Sequence, residues 1–171
     1  RERVTALPAP AYGGEGDDWI DAGPGVNQIW AGGGADTIYG GSGNDYLIGG
    51  NGNDVLYGGA GADHFQFTTT PNATTNVDTI RDFTPGTDKI DLEGDIFAGI
   101  GGSLSSSEFR SGAGVTTANN STQRIIYNTT TGDLYWGRDG SGSSYSPVKF
   151  ANLTNTDGTH PTLSNSDFVL I

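Results

Sequence analysis

The sequence predicts an all-β protein: a flattened parallel coil of short strands, then a region of antiparallel strands. Three observations predict it. From Gly13 to Gln66 the chain repeats a nine-residue unit six times without a gap: GGEGDDWID, AGPGVNQIW, AGGGADTIY, GGSGNDYLI, GGNGNDVLY and GGAGADHFQ. Each unit ends in an apolar residue flanked by two neighbours that point the other way, the pattern of a very short strand. Beyond the repeats, RIIYNTTTGDLYW alternates around a short loop, as a β-hairpin does.

Within the unit, glycine fills the second and fourth positions every time. Glycine permits φ > 0 and close backbone approach, so the first six residues predict a turn. The eighth position is always apolar: Ile20, Ile29, Ile38, Leu47, Leu56 and Phe65. The last three residues therefore predict the strand. Two units make one coil, the six apolar side chains point inward, and unit n lies under unit n+2 at about 4.8 Å. A repeat that cannot bury its face alone must stack in this way.

That core is thin. One apolar side chain per unit contributes about 1.5–3 kcal/mol. Ordering the backbone costs about 1–2 kcal/mol for every residue. Something else must hold the stack. An acid fills the sixth position as Asp18, Asp36, Asp45, Asp54 and Asp63, with Asn27 as the one substitute. Stacked turns bring these aspartates and many free carbonyls together along each edge. Hard oxygen ligands in number suit Ca²⁺, and its binding energy then becomes folding energy.

The unit GGxGxDxUx resembles the calcium-binding nonapeptide of the RTX (repeats-in-toxin) family. The resemblance implies a right-handed parallel β-roll with calcium between turns n and n+2. One turn would offer the carbonyls of its second and fourth residues and its acid; the next would offer those of its first and third residues and its acid. Carried over, Gly14, Gly16 and Asp18 would face Ala31, Gly33 and Asp36. Gly23, Gly25 and Asn27 would face Gly40, Ser42 and Asp45. Gly32, Gly34 and Asp36 would face Gly49, Asn51 and Asp54. Gly41, Gly43 and Asp45 would face Gly58, Ala60 and Asp63. Gly50 and Gly52 of the fifth unit complete the ligand set of the repeats. Asn27 keeps an oxygen but loses a charge, so its site should be the weakest.

Composition agrees. Lys+Arg 8 against Asp+Glu 20 gives a net charge of −12, which disfavours nucleic acid and anionic membrane as partners. Six Ca²⁺ would cancel that charge, and four to six ions are expected. Without metal, low hydrophobicity and unopposed charge mark a disordered chain. There is no cysteine, so calcium takes the place of a disulfide as staple. No apolar run approaches the length of a membrane span.

In chain order, residues 1–12 (RERVTALPAPAY) read as a linker, 13–66 as the roll, and 67–171 as a C-terminal cap and secretion-signal region packed on it. Outward aromatics recur at coil spacing on both faces, among them Trp19, Tyr39 and Tyr57, then Trp30 and Tyr46. They read either as a sugar-stacking or protein-docking stripe or as a face covered by the flanking segments. After the repeats, VDTIRDFTPGTDKIDLEG resembles the segment that follows the repeats in serralysin-type C-terminal domains. There, acids reach back to close the last calcium site. The matching residues are Asp78 and Asp88, facing Gly59, Gly61 and Asp63, with Asp82 as a third candidate and Asn72 as the residue for the other edge. The hairpin, Arg124–Asn128 with Asp133–Trp136, and the ending SDFVLI resemble the family's tail, which a type I secretion apparatus reads.

No HExxH, GxSxG or phosphate-binding GxxxxGK[ST] occurs. The expectation is a non-catalytic, secreted, extracellular calcium-binding module, the C-terminal part of a larger bacterial protein. Its partners would be the type I secretion apparatus and an upstream domain. The alternative is a carbohydrate- or surface-binding module, with polysaccharide as the ligand and a cell-surface location.

Overall fold

The computed structural model describes residues 3–5, 10–142 and 144–171. The roll, made of the repeats and the segment before them, contains β1 (Arg3–Thr5), β2 (Ala11–Glu15), β3 (Trp19–Asp21), β4 (Gln28–Gly33), β5 (Thr37–Ser42), β6 (Tyr46–Asn51), β7 (Val55–Ala60) and β8 (His64–Phe67). After them come β9 (Asp78–Ile80), β10 (Lys89–Leu92), β11 (Phe109–Gly112), β12 (Ile125–Asn128), β13 (Asp133–Trp136), β14 (Val148–Leu153) and β15 (Phe168–Leu170). Among the described residues these make two sheets, in the orders β1-β3-β5-β7-β9-β14-β13-β12-β11 and β15-β10-β8-β6-β4-β2.

Alternate strands thus go to opposite sheets, and each pairs in parallel with the strand one coil on. Ile20 lies beside Ile38 and Ile38 beside Leu56 in one sheet; Ile29 lies beside Leu47 and Leu47 beside Phe65 in the other. All six apolar residues are buried between the sheets. This is the parallel β-roll that the period predicts. The strands are longer than the three residues expected: β4, β5, β6 and β7 have six each and run into the first three positions of the next unit. The coil-spaced partner supplies ladder contacts there too, as in Gly32↔Gly50 and Gly41↔Gly59. The turn proper shrinks to positions four to six. In β4, β5, β6 and β7 the glycine at position two of the next unit stays in the strand at positive φ, as at Gly41 with φ 110°. A Cβ there would overlap the carbonyl of Gly23 one coil below.

The segment expected as a linker joins the roll. Arg3–Thr5 pairs with Trp19–Asp21, and Ala11 and Tyr12 pair with Ile29 and Trp30. Residues 1–2 and 6–9, which the linker expectation also covers, lie outside the described residues.

The C-terminal region continues both sheets rather than lying on them. β14 adds in parallel to β9, and β15 adds in parallel to β10. The predicted hairpin is present as antiparallel β12 and β13, and β14 is antiparallel to β13. Here the core widens from single aliphatics to an aromatic cluster. Phe150 packs edge-on against Phe67 and Phe97 with centroids 5.1 Å apart, and Phe97 meets Trp136 at 5.5 Å. Tyr127 is buried, and its hydroxyl donates to the Pro161 carbonyl at 2.8 Å.

Candidate metal centre

The sixth-position residues stack along two edges of the roll, all of them buried. Each backbone N–H donates to Oδ1 of the acid one coil on: Asp18 to Asp36 at 2.7 Å, Asn27 to Asp45 at 2.8 Å, Asp36 to Asp54 at 2.8 Å, and Asp45 to Asp63 at 2.9 Å. This fixes one carboxylate oxygen per turn. The other, Oδ2, has no hydrogen-bond partner at Asp36, Asp45, Asp54 or Asp63, although it is buried. Unpaired buried carboxylate oxygens are costly.

The surroundings of Oδ2 are carbonyls. Asp45 Oδ2 and the Gly58 carbonyl oxygen each lie 2.7 Å from the place a Cβ on Gly40 would take. At the first turn, a Cβ on Gly13 would lie 2.5 Å from the Ala31 carbonyl oxygen and 2.8 Å from Asp18 Oδ2. Each is a small cradle that brings an acid near the first carbonyl of the next turn. The third-position carbonyls of Gly33, Ser42, Asn51 and Ala60 accept from the N–H of Gly16, Gly25, Gly34 and Gly43 at 2.6–2.9 Å. That leaves each a second lone pair.

Two acids outside the repeats complete the edges, and they divide differently from the sequence expectation. Asp78 does not face Asp63: its Oδ1 accepts from Asp54 N–H at 3.1 Å, closing the edge of odd units. Asp88 accepts from Asp63 N–H at 3.1 Å, closing the edge of even units. Asn72 is not at either edge; its Oδ1 accepts from Thr74 and Thr75 in a local turn. Asn76 is the residue sequence reasoning missed. Its Oδ1 accepts from Gly52 N–H at 3.0 Å, standing where a third-position carbonyl stands in other coils. An asparagine two residues before the closing acid was the available signal. Thr69 also donates to the Gly50 carbonyl, at 2.8 Å. Asp82 spends both oxygens on backbone, accepting from Gly58 and Gly59 at 2.9 Å.

The electrostatics follow from this crowding. Burial, with neighbouring carboxylates behind it, pushes Asp54 and Asp63 up to about 6. Burial also raises Asp36, Asp45, Asp82 and Asp88, and takes Asp78 well above the usual carboxylate range. Asp82 and Asp88 both add to the negative field at Asp63. No three His, Asp or Glu side chains among the described residues are grouped to hold a metal by themselves. Any ion must therefore draw on carbonyls as well, a mixed oxygen set of the kind Ca²⁺ accepts. A divalent cation fits the Asp–Asp cradles, since it would partner the orphaned oxygens and offset the repulsion.

Position 27 differs. Asn27 turns its nitrogen, not its oxygen, toward the carbonyls: Nδ2 donates to Gly23 at 3.2 Å and to Gly25 and Gly40 at 3.3 Å.

The outward aromatics stack on one another along the sheets. Tyr39 and Tyr57 are 4.5 Å apart and 7° from parallel, Tyr12 and Trp30 5.2 Å and 13°, Tyr46 and His64 4.8 Å and 19°.

Parallel coils of this nonapeptide, with paired acids and carbonyls along both edges, define a calcium-binding repeat roll. The description "RTX calcium-binding nonapeptide repeat (4 copies)" matches residues 12–47. The description "Peptidase M10 serralysin C terminal" matches residues 36–121, half of the chain, and the chain belongs to that family. What matches is a C-terminal calcium-binding repeat region, not a catalytic domain. Proteins of this family are secreted. The solution structure of the AlgE6R3 subunit from the Azotobacter vinelandii mannuronan C5-epimerase is similar at 27% identity and a TM-score of 0.59, over 96% of this chain and 82% of that one. Comparison with curated proteins finds no match. No helix among the described residues is long and apolar enough to cross a membrane.

Proposed function

We propose that the chain is a calcium-driven folding module that acts after type I secretion. Where calcium is scarce the repeats stay unfolded and can pass a narrow channel, with the C-terminus engaging the secretion apparatus. Outside the cell, calcium loads the turns, the roll forms, and a neighbouring domain of the same secreted protein gains a folded partner. The module itself performs no catalysis. The observation that carries this reading is the set of buried, unpartnered Oδ2 atoms at Asp36, Asp45, Asp54 and Asp63. Bound calcium would supply a charge partner to each. The ligands would be these acids with Asp18, Asp78 and Asp88, and the carbonyls of the first four positions of stacked units. The ions would link coils that the thin apolar core alone does not hold.

A carbohydrate-binding reading draws on the similarity to a subunit of a mannuronan C5-epimerase. The ring geometry weighs against a stacking platform here. Sugars stack on open ring faces, and these rings spend their faces on each other; only the end ring of Tyr12 is largely exposed. The stripes then serve to hold the coils in register.

The test is far-ultraviolet circular dichroism during a Ca²⁺ titration from chelator. The expected result is a disordered spectrum turning β-rich at millimolar Ca²⁺. A chain already β-rich in chelator and unchanged by Ca²⁺ would overturn the proposal.

A further inference from the structure

We infer that the cradle at Asn27 is closed by its own carboxamide, which stands where the other cradles take an ion, so that this one turn pair of the roll is metal-free. The inference rests on the calcium reading of the remaining cradles. At two of those, the acid's Oδ2 and the first carbonyl of the next turn border one small space: Asp45 Oδ2 and the Gly58 carbonyl oxygen each lie 2.7 Å from the place a Cβ on Gly40 would take. Two oxygens without a proton between them then share that space, and a cation would partner both. At position 27 the corresponding atom is Nδ2, 3.3 Å from the Gly40 carbonyl, the equivalent first position. The same nitrogen reaches the Gly23 and Gly25 carbonyls, the second and fourth positions of its own turn, at 3.2 and 3.3 Å.

Three acceptors therefore converge on one side-chain atom. A carboxamide oxygen could not be oriented there without an ion, because it has no proton to offer. The NH₂ group has two. The residue is buried, so water does not compete for the site. Its backbone N–H still donates to Asp45 Oδ1 at 2.8 Å, so the coil-to-coil link common to all turns is kept. The substitution thus removes one charge and one ion together, and leaves the stacking intact. Calcium on the edge of even units then begins at the Asp45–Asp63 pair rather than at the first turn pair.

The test counts bound Ca²⁺ on the saturated chain by native mass spectrometry, for the wild type and Asn27→Asp. The aspartate variant should hold one ion more. Equal counts with calcium bound would overturn the inference, since the wild-type cradle would then already hold an ion through Oδ1. A wild type that binds no Ca²⁺ at all would instead sink the folding proposal on which it rests. Should the variant fail to fold, the wild type decides alone by NMR. In the Ca²⁺-loaded chain the Asn27 carboxamide protons should exchange slowly with solvent. Rapid exchange would overturn the inference.

Discussion

Gly43 sits at φ 132°, and a Cβ there would overlap the carbonyl of Gly25 one coil below. Gly16 also has a positive φ, 100°, but a Cβ would meet nothing within 4 Å. Both positions are glycine for backbone reasons, yet only one is also a close approach. Gly16→Ala should therefore cost about 1–3 kcal/mol, the strain of a non-glycine residue in that region. Gly43→Ala should cost more and raise the Ca²⁺ midpoint of folding further; equal midpoints in a dichroism titration would contradict this. The acids make a second prediction. Asp54 and Asp63 stand at about 6 in the metal-free fold against an ordinary 3.8. A carboxyl raised by folding is penalised once it ionises, so the penalty is absent at low pH and grows as pH rises from about 4 to 6. In chelator, acidification through that window should increase β-structure. With calcium present the sign reverses, because protons compete for the ligands, and the Ca²⁺ midpoint should rise. A chelated chain whose spectrum ignores pH there would count against the stacked carboxylates.

Turns act in pairs. Among the sixth-position residues of the repeats, Asp36 and Asp45 each link to one residue a coil below and one a coil above, whereas Asp18, in the first unit, links to Asp36 above it. Loss of a middle unit of a stack takes two interfaces with it. Asp45→Ala should raise the Ca²⁺ midpoint more than Asp18→Ala, as read by calcium titration of both variants. Asp78 and Asp88 close different edges. Asp78→Ala and Asp88→Ala should therefore be nearly additive, within about 0.5 kcal/mol, when the double variant is compared with each single one by chemical unfolding in calcium. Were both to close one site, as the family resemblance implies, the second substitution would add little. The single-site expectation fails for a physical reason. Within the repeats, partner acids are 18 residues apart, but the closing partners are 24 and 25 apart because the chain between carries loops of no fixed period.

Over the whole molecule, the apolar core is uneven. The roll offers one large apolar side chain per unit to the core, with the small Ala22 and Ala31 beside them, while Phe67, Phe97, Trp136 and Phe150 form a cluster at the C-terminal end. That cluster joins the two sheets where they pass from repeat strands to β14 and β10. The C-terminal end thus offers the last coil an apolar surface that the roll itself lacks. Phe150→Ala should cost about 3–5 kcal/mol and raise the calcium needed to fold the repeats, though no repeat ligand is touched. Hydrogen exchange of this variant against the wild type at fixed Ca²⁺ should show lost protection in β5, β6 and β7. Protection unchanged there would mean that the roll forms independently of its end.

The sequence alone determined the period, the inward row from Ile20 to Phe65, the glycines of the turns, the row of acids along each edge and the oxygen-rich chemistry that calls for calcium. All of these sit at fixed separations, and any stacking of identical units must honour them. The tertiary structure decided what fixed separations do not encode. It lengthened the strands, because the neighbouring coil offers ladder partners beyond the apolar triplet. It assigned Asp78 and Asp88 to opposite edges, because two unlike loops deliver them there. It turned the aromatic stripes into stacked columns. It also aimed the Asn27 amide nitrogen at three carbonyls, a choice between two ends of one side chain that only the surrounding acceptors make.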